Sequence, residues 1–237
     1  MELETVMRTT AAVRQYTDDP LDDATLYAIL DDARFAPNGG NRQSWHVIVV
    51  RDPATKRRLA DLYEVGMREY AGFTRAGLVP FVASEAHWRN PPGAEPTPAI
   101  DLEAARQVPV PPGSTDHLVA APVLLVITLD LTNVSAVDTG LDRLPLTAAA
   151  SVFPFAQNIL LAARDRGYGG HLTSVLSRCE PEVKALLGIP DDHVLATMVP
   201  LGRPVHQVTR LRRIPVEDFA TVGRFDGAPL EPPAGKS

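Results

Sequence analysis

Three unbroken apolar runs constrain this chain most: "WHVIVV" at Trp45–Val50, "APVLLVITLD" at Ala121–Asp130 and "HVLATMVPLG" at His193–Gly202. A strand that faces water on one side alternates apolar and polar residues, so a run without alternation predicts a strand covered on both faces. The segments between them predict the cover. Leu3 to Gln15 has helical spacing, and Asp22 caps a second helix with the stripe Leu26, Ile29, Leu30 and Ala33 that stops near Ala36. Asp52 and Pro53 form a cap and first-turn pair that opens a third helix through about Tyr70. "TAAASVFPFAQNILLAARDRG" predicts a long apolar helix kinked at Pro154, and "EPEVKALLG" a short one from Pro181. Three strands are too few for a doubly wound sheet, which leaves an α+β sandwich as the expected class.

At 237 residues the chain is long enough to bury a substantial core, and it reads as one domain spanning 1–237. Two stretches stand outside its periodicity. Between about 71 and 116 the pattern fades, and "PPGAEPTPAIDLEAARQVPVPP" places seven prolines in 22 residues, which forbids a long regular helix. This excursion is read either as a lid or binding loop or as disorder. A proline-containing tail follows from about 203.

Charge and composition exclude several function classes. A net charge of −6 without a basic stripe argues against nucleic acid as a partner, and no run approaches the roughly 20 apolar residues that span a bilayer. The first residues, "MELETVMRTT", carry acids where a secretion signal needs basic residues, so a cytoplasmic location is expected. The single cysteine, Cys179, permits no internal disulfide and supports no thiolate zinc site. None of the six histidines pairs with another at metal-ligand spacing, and HExxH and GxSxG are both absent. The terminal "GKS" lacks the glycine and the following helix of a phosphate-binding loop, and "GYGGHLTS" lacks the strand-to-helix setting of a dinucleotide fingerprint.

What remains is an ordered set of polar and glycine-rich blocks: "AVRQYTDDPL", "APNGGNRQSWHVIVV", "QNILLAARDRGYGGHLTS", and "VPLGRPV" followed by "RLRRIP". Together, in this order and over nearly the whole chain, they resemble the FMN-dependent nitroreductase family. The resemblance implies a mainly antiparallel sheet flanked by helices, FMN as cofactor, NADPH or NADH as electron donor, a small-molecule acceptor and a homodimer. It also implies a ping-pong reaction on a nitroaromatic, a quinone or an activated alkene. The same scaffold serves a flavin-sequestering protein or a deazaflavin-linked one as alternatives.

The resemblance further implies which residues meet the cofactor. Pro37, Asn38 and Gly39 would contact the flavin of the partner subunit, with Asn41 and Gln43 holding the turn. On its own residues the same turn is equally a plain helix-to-strand connection. The phosphate would be met by Arg14 and, from the tail, by Arg212 and Arg213, since guanidinium forks match phosphate oxygens in pairs. The family's basic residue and serine fall on Thr10 and Ala12, and Arg8 is a substitute for the missing charge. The bland reading of "TRLRR" is a solvated surface cluster. Gly170, His171, Leu172 and Thr173 match the loop in which a family backbone N–H faces the flavin N5. His171 reads either as a flavin or substrate contact or as a surface histidine, and Tyr16 and Trp45 read as core packing.

Overall fold

The computed structural model describes residues 1–81, 100–143 and 145–233. Its centre is a four-stranded sheet in the order β1-β2-β4-β3, with β1 at Trp45–Val50, β2 at Val123–Asp130, β3 at Gly169–Gly170 and β4 at His193–Gly202. Every pairing in it is antiparallel. The helices are α1 (Leu3–Thr9), α2 (Asp23–Ala33), α3 (Pro53–Arg75), α4 (Leu102–Ala105), α5 (Asp116–Ala120), α6 (Val152–Asp165) and α7 (Glu180–Leu187). This is the α+β sandwich that the apolar runs predict.

Strand β2 shows why the runs do not alternate. Its odd residues Val123, Leu125, Ile127 and Leu129 share one core with Ile29 and Ala33 of α2 and Phe155 and Ile159 of α6. Its even residues Leu124 and Val126 share a second core with Leu59 and Tyr63 of α3 and Leu118 of α5. Successive side chains leave opposite faces of a strand, so helices on both sides demand apolar residues at both parities. Strand β4 adds one correction of register. Pairing passes from Ile127↔Thr197 to Thr128↔Leu195, which leaves Ala196 as an extra residue. Parity flips there, so Leu195 and Met198 face the same core.

Four expectations are corrected. Strand β1 is an edge strand with half-buried and exposed positions, and Val49 is 42% exposed, because an apolar run does not say whether the sheet supplies a second neighbour. Helix α1 stops at Thr9 rather than Gln15, since the hydroxyls of Thr9 and Thr10 donate back to the carbonyls of Thr5 and Val6 and Thr10 turns extended at ψ 98°. Pro154 causes no mid-helix kink, because α6 begins at Val152 and its first turn has no amide partners to lose. The excursion is shorter than expected: α3 continues to Arg75, α4 lies within it, and α5 begins at its end. Its most proline-dense part, 91–99, and the terminal "GKS" lie outside the described residues. "GYGGHLTS" does contain a strand, β3, but a 3-10 turn at Val175–Cys179 follows it, so it is still no dinucleotide fingerprint.

One buried cation fixes the edge of the second core. Lys56, 8% exposed, donates from Nζ to the carbonyls of Val119 (2.8 Å) and Ala121 (2.7 Å) at the end of α5, and burial lowers its pKa. Lys56→Met strips both carbonyls of their donor. The expected loss is about 2 kcal/mol, read as a lower urea midpoint at unchanged slope.

Candidate functional site

Because α1 ends early, residues 13–17 run extended beside the sheet. Val13 N–H donates to Gly170 O (2.9 Å), Thr17 N–H to Arg203 O (2.9 Å), and Val205 N–H to Gln15 O (3.0 Å). The stretch thus joins β3 to the start of the tail, and Arg14 lies in its middle. The Arg14 side chain is exposed and has no hydrogen-bond or ion-pair partner among the described residues. Burial raises the pKa of Tyr16 and lowers those of His117 and His171; the Arg14 charge opposes the first shift and adds to the other two.

The glycines of β3 allow this approach. A Cβ on Gly169 would stand 2.7 Å from Val13 Cγ2, and one on Gly170 would stand 2.1 Å from Pro200 O. His171 follows. It is 2% exposed, so it is not a surface histidine, and its Nδ1 lies 2.9 Å from Val13 O. A carbonyl only accepts, so Nδ1 carries the proton and Nε2 is the bare acceptor. Burial is the main cause that lowers the His171 pKa from 6.5 to about 4, with Arg14 and His117 adding to it. Leu172 is 36% exposed. Thr173 pairs with Met198 through both backbone groups, its hydroxyl donates to the Tyr63 hydroxyl (3.3 Å), and its N–H is therefore committed to the sheet.

Sequence reading missed His117. Its ring lies 5.1 Å from that of His171, and the Nε2 atoms of both are buried without a hydrogen-bond partner among the described residues. Burial, then Arg14, lowers its pKa, against the opposing effects of the Ser114 backbone and Asp116. No spacing rule finds such a pair, because the two rings meet only through α5 and β3. Among the described residues no group of three or more His, Cys, Asp or Glu is placed to hold a metal ion.

The Pro37–Gln43 turn forms a separate group. Gly40, Asn41 and Gln43 all take positive φ (64°, 55° and 50°), a conformation that L side chains adopt at a cost of about 1–2 kcal/mol each. Such strain persists only when neighbours fix it. Here Asn38 Oδ1 accepts from Gln43 N–H (2.9 Å), Asn38 Nδ2 donates to Ala36 O (3.2 Å), and Gln43 Nε2 donates to Asn41 O (3.3 Å). Gly39 N–H donates to Ser151 Oγ (3.3 Å), and a Cβ on Gly39 would meet Ser135 at 2.7 Å. Pro37, Asn38 and Gly39 line a cavity of about 400 Å³ with Ser135, Val137, Thr147, Ala150 and Ser151. The far wall is held by Asp138, 3% exposed, which accepts from the backbone N–H groups of Leu146 and Thr147 and from Arg143. Those bonds hold its carboxyl well below the usual carboxylate range.

The remaining expected residues divide. Thr10 has spent its hydroxyl proton on Val6 O, and Arg8 pairs with Glu4 at 2.9 Å. Gln207 donates to Thr9 O (3.2 Å), which ties the tail to the end of α1, while Arg212 and Arg213 are exposed farther along. Among the described residues Arg213 donates only to Arg212 O (2.7 Å). Neither arginine forms an ion pair among the described residues. Trp45 stacks on Phe155 at 4.6 Å between ring centroids, and Tyr16 is half-buried against the second core. The structure therefore brings Arg14 together with Gly170–Thr173, and keeps the Pro37–Gln43 turn and the tail arginines as distinct groups.

Comparison with known proteins gives this arrangement a class. Residues 7–203 match the nitroreductase family, and the chain belongs to it. It is 25% identical over 232 residues to nitrobenzene nitroreductase of Ectopseudomonas oleovorans, covering 92% of this chain and 96% of that one. It is 27% identical over 210 residues to 5,6-dimethylbenzimidazole synthase of Rhodospirillum rubrum, covering 85% and 82%. A shorter match of 50 residues, 46% identical, links it to a NADH dehydrogenase of Thermus thermophilus and spans 21% of this chain and 24% of that one. In fold it is similar to the NADPH:FMN oxidoreductase of Vibrio harveyi complexed with NAD+, with a TM-score of 0.66 at 19% identity over 96% of this chain and 80% of the other.

Proposed function

We propose that this protein is an FMN-dependent oxidoreductase that takes electrons from NADPH or NADH and delivers them to an electron-poor small molecule, working as a homodimer. Membership of the nitroreductase family carries the reading. The acceptor is a nitroaromatic, a quinone or an activated alkene, and the similarity to a nitrobenzene nitroreductase supports the first of these.

The residues present fit FMN. A terminal phosphate needs donors that are not already neutralised, and Arg14, Arg212 and Arg213 have no carboxylate partners among the described residues. Thr10 and Arg8 contribute less than the resemblance implies, because each is engaged within its own helix. In the loop, Thr173 is excluded as the N–H that faces the ring, since Met198 holds it, which favours His171 or Leu172. When bound, FMN supplies the hydride-accepting ring. Donor and acceptor then share one site and alternate in it, so double-reciprocal plots against both are expected to be parallel.

The dimer completes the site in this reading. The strained Pro37–Gln43 turn makes no hydrogen bond to the Arg14–Gly170 group of its own chain among the described residues, so it is free to serve the partner's. A folded, flavin-loaded species sedimenting at 25.6 kDa would contradict this arrangement. Arg213→Ala is expected to weaken FMN by about 2 kcal/mol, read by fluorescence titration, as a lost charge-assisted bond predicts. Unchanged affinity would return the tail arginines to a solvated surface cluster.

A further inference from the structure

We propose that His171 and Tyr16 are positioning residues that hold Arg14 by clasping the carbonyl of the residue before it, Val13. The consequence for binding rests on the reading of Arg14 as a flavin ligand, while the clasp itself rests on geometry alone. His171 Nδ1 lies 2.9 Å and the Tyr16 hydroxyl 2.8 Å from Val13 O, and Val13 N–H donates to Gly170 O at 2.9 Å. The Val13 side chain is 6% exposed and fills the space where a Cβ on Gly169 would lie. Both polar backbone atoms and the side chain of Val13 are thus engaged, directly before a guanidinium that has no partner among the described residues.

The second observation is the orphan nitrogen. Among the described residues His171 Nε2 is buried with no partner, and so is His117 Nε2 beside it. A buried acceptor without a donor is unfavourable, and an apolar side chain of similar size would avoid it. What the imidazole supplies, and an apolar side chain does not, is the Nδ1 proton on Val13 O. A guanidinium on a long flexible side chain binds well only if its backbone is fixed, since ligand geometry must hold to within about 0.5 Å. The clasp supplies that fixation from two elements, β3 and the extended stretch itself.

The experiment is a double-mutant cycle read by FMN titration of the full chain. Arg14→Ala is expected to weaken FMN about tenfold and His171→Leu about fivefold, the latter corresponding to one net hydrogen bond. His171→Asn, which keeps a donor near the Nδ1 position, should recover most of the loss. In the Arg14→Ala background His171→Leu should add nothing. Equal losses in both backgrounds, or no recovery with His171→Asn, would overturn the proposal. Should His171→Leu fail to fold, Tyr16→Phe takes its place in the same cycle. A second readout needs no flavin: nitrogen NMR of the His171 ring should show Nδ1 protonated and hydrogen-bonded and Nε2 bare. A proton on Nε2 instead overturns the clasp. A protonated Nδ1 in a protein that binds no FMN supports the clasp and overturns the functional reading instead.

Discussion

Glu69→Gln is expected to lower the stability of the folded chain by about 3 kcal/mol, the lower end of the range for breaking a buried ion pair. Glu69 lies in α3 with no exposure, and its carboxylate accepts from Arg106 Nε at 2.8 Å and from Arg178 Nε. Arg106 follows α4 and Arg178 sits in the turn before α7, so one carboxylate joins three elements far apart in the chain. Two glycines of α3 make the joint possible. A Cβ on Gly72 would stand 2.6 Å from Ala105 Cβ, and one on Gly66 would stand 2.6 Å from Val175 Cγ1. The arginines are 35% and 37% exposed and can turn to water once the charge is gone, which is why the lower end of the range applies. Urea unfolding checks this: the midpoint should fall with the slope unchanged. A shift equivalent to less than about 0.5 kcal/mol would reduce the cluster to ordinary surface ion pairs.

Acid should destabilise the protein well before its carboxylates titrate. His171 has a folded-state pKa of about 4 against an ordinary value of 6.5, mainly because burial disfavours the charged ring. Between those values the unfolded chain binds the proton and the folded one does not. The contribution of a depressed histidine is therefore fully present above pH 6.5 and is lost as pH falls toward 4. The full span corresponds to about 3 kcal/mol at 1.36 kcal/mol per unit. His117 acts in the same direction. Asp22, Asp52, Asp130 and Asp138, all lowered below 3.8, lose their contributions only at more acidic pH. Urea midpoints measured from pH 7 to pH 4.5 should fall steadily, and His171→Asn should flatten much of that slope. A parent protein equally stable at both ends would contradict the buried neutral imidazole.

Much of the fold was legible because it depends on local pattern. The apolar runs give β1, β2 and β4 to the residue at most ends, and the Asp22 and Asp52 caps open α2 and α3, each accepting from a backbone N–H three residues on. The end of α1 was not legible, because helical spacing continues through Gln15 while the extended stretch is set by partners far away, Gly170 and residues 203 and 205. Strand β3 was invisible for a related reason: two glycines carry no β propensity and pair only because the β4 backbone is there. At the site, the family resemblance singled out Arg14 and the Gly170–Thr173 loop, which the fold brings together. It did not reveal His117, which reaches the site only in three dimensions, nor that Thr10 and Arg8 would be engaged by their own helix. The positive φ of Asn41 and Gln43 explains in physical terms why that block reads unlike an ordinary connection.

An anaerobic half-reaction on protein whose released cofactor has been identified tests the proposed flavin chemistry most directly. Gentle denaturation is expected to release FMN, and excess NADPH or NADH to bleach the bound flavin within an ordinary turnover time, with the colour returning on addition of a quinone or nitroaromatic. Release of FAD or of no flavin would contradict the cofactor. A flavin that bleaches with dithionite but stays yellow for many minutes with both nicotinamides would contradict the oxidoreductase itself.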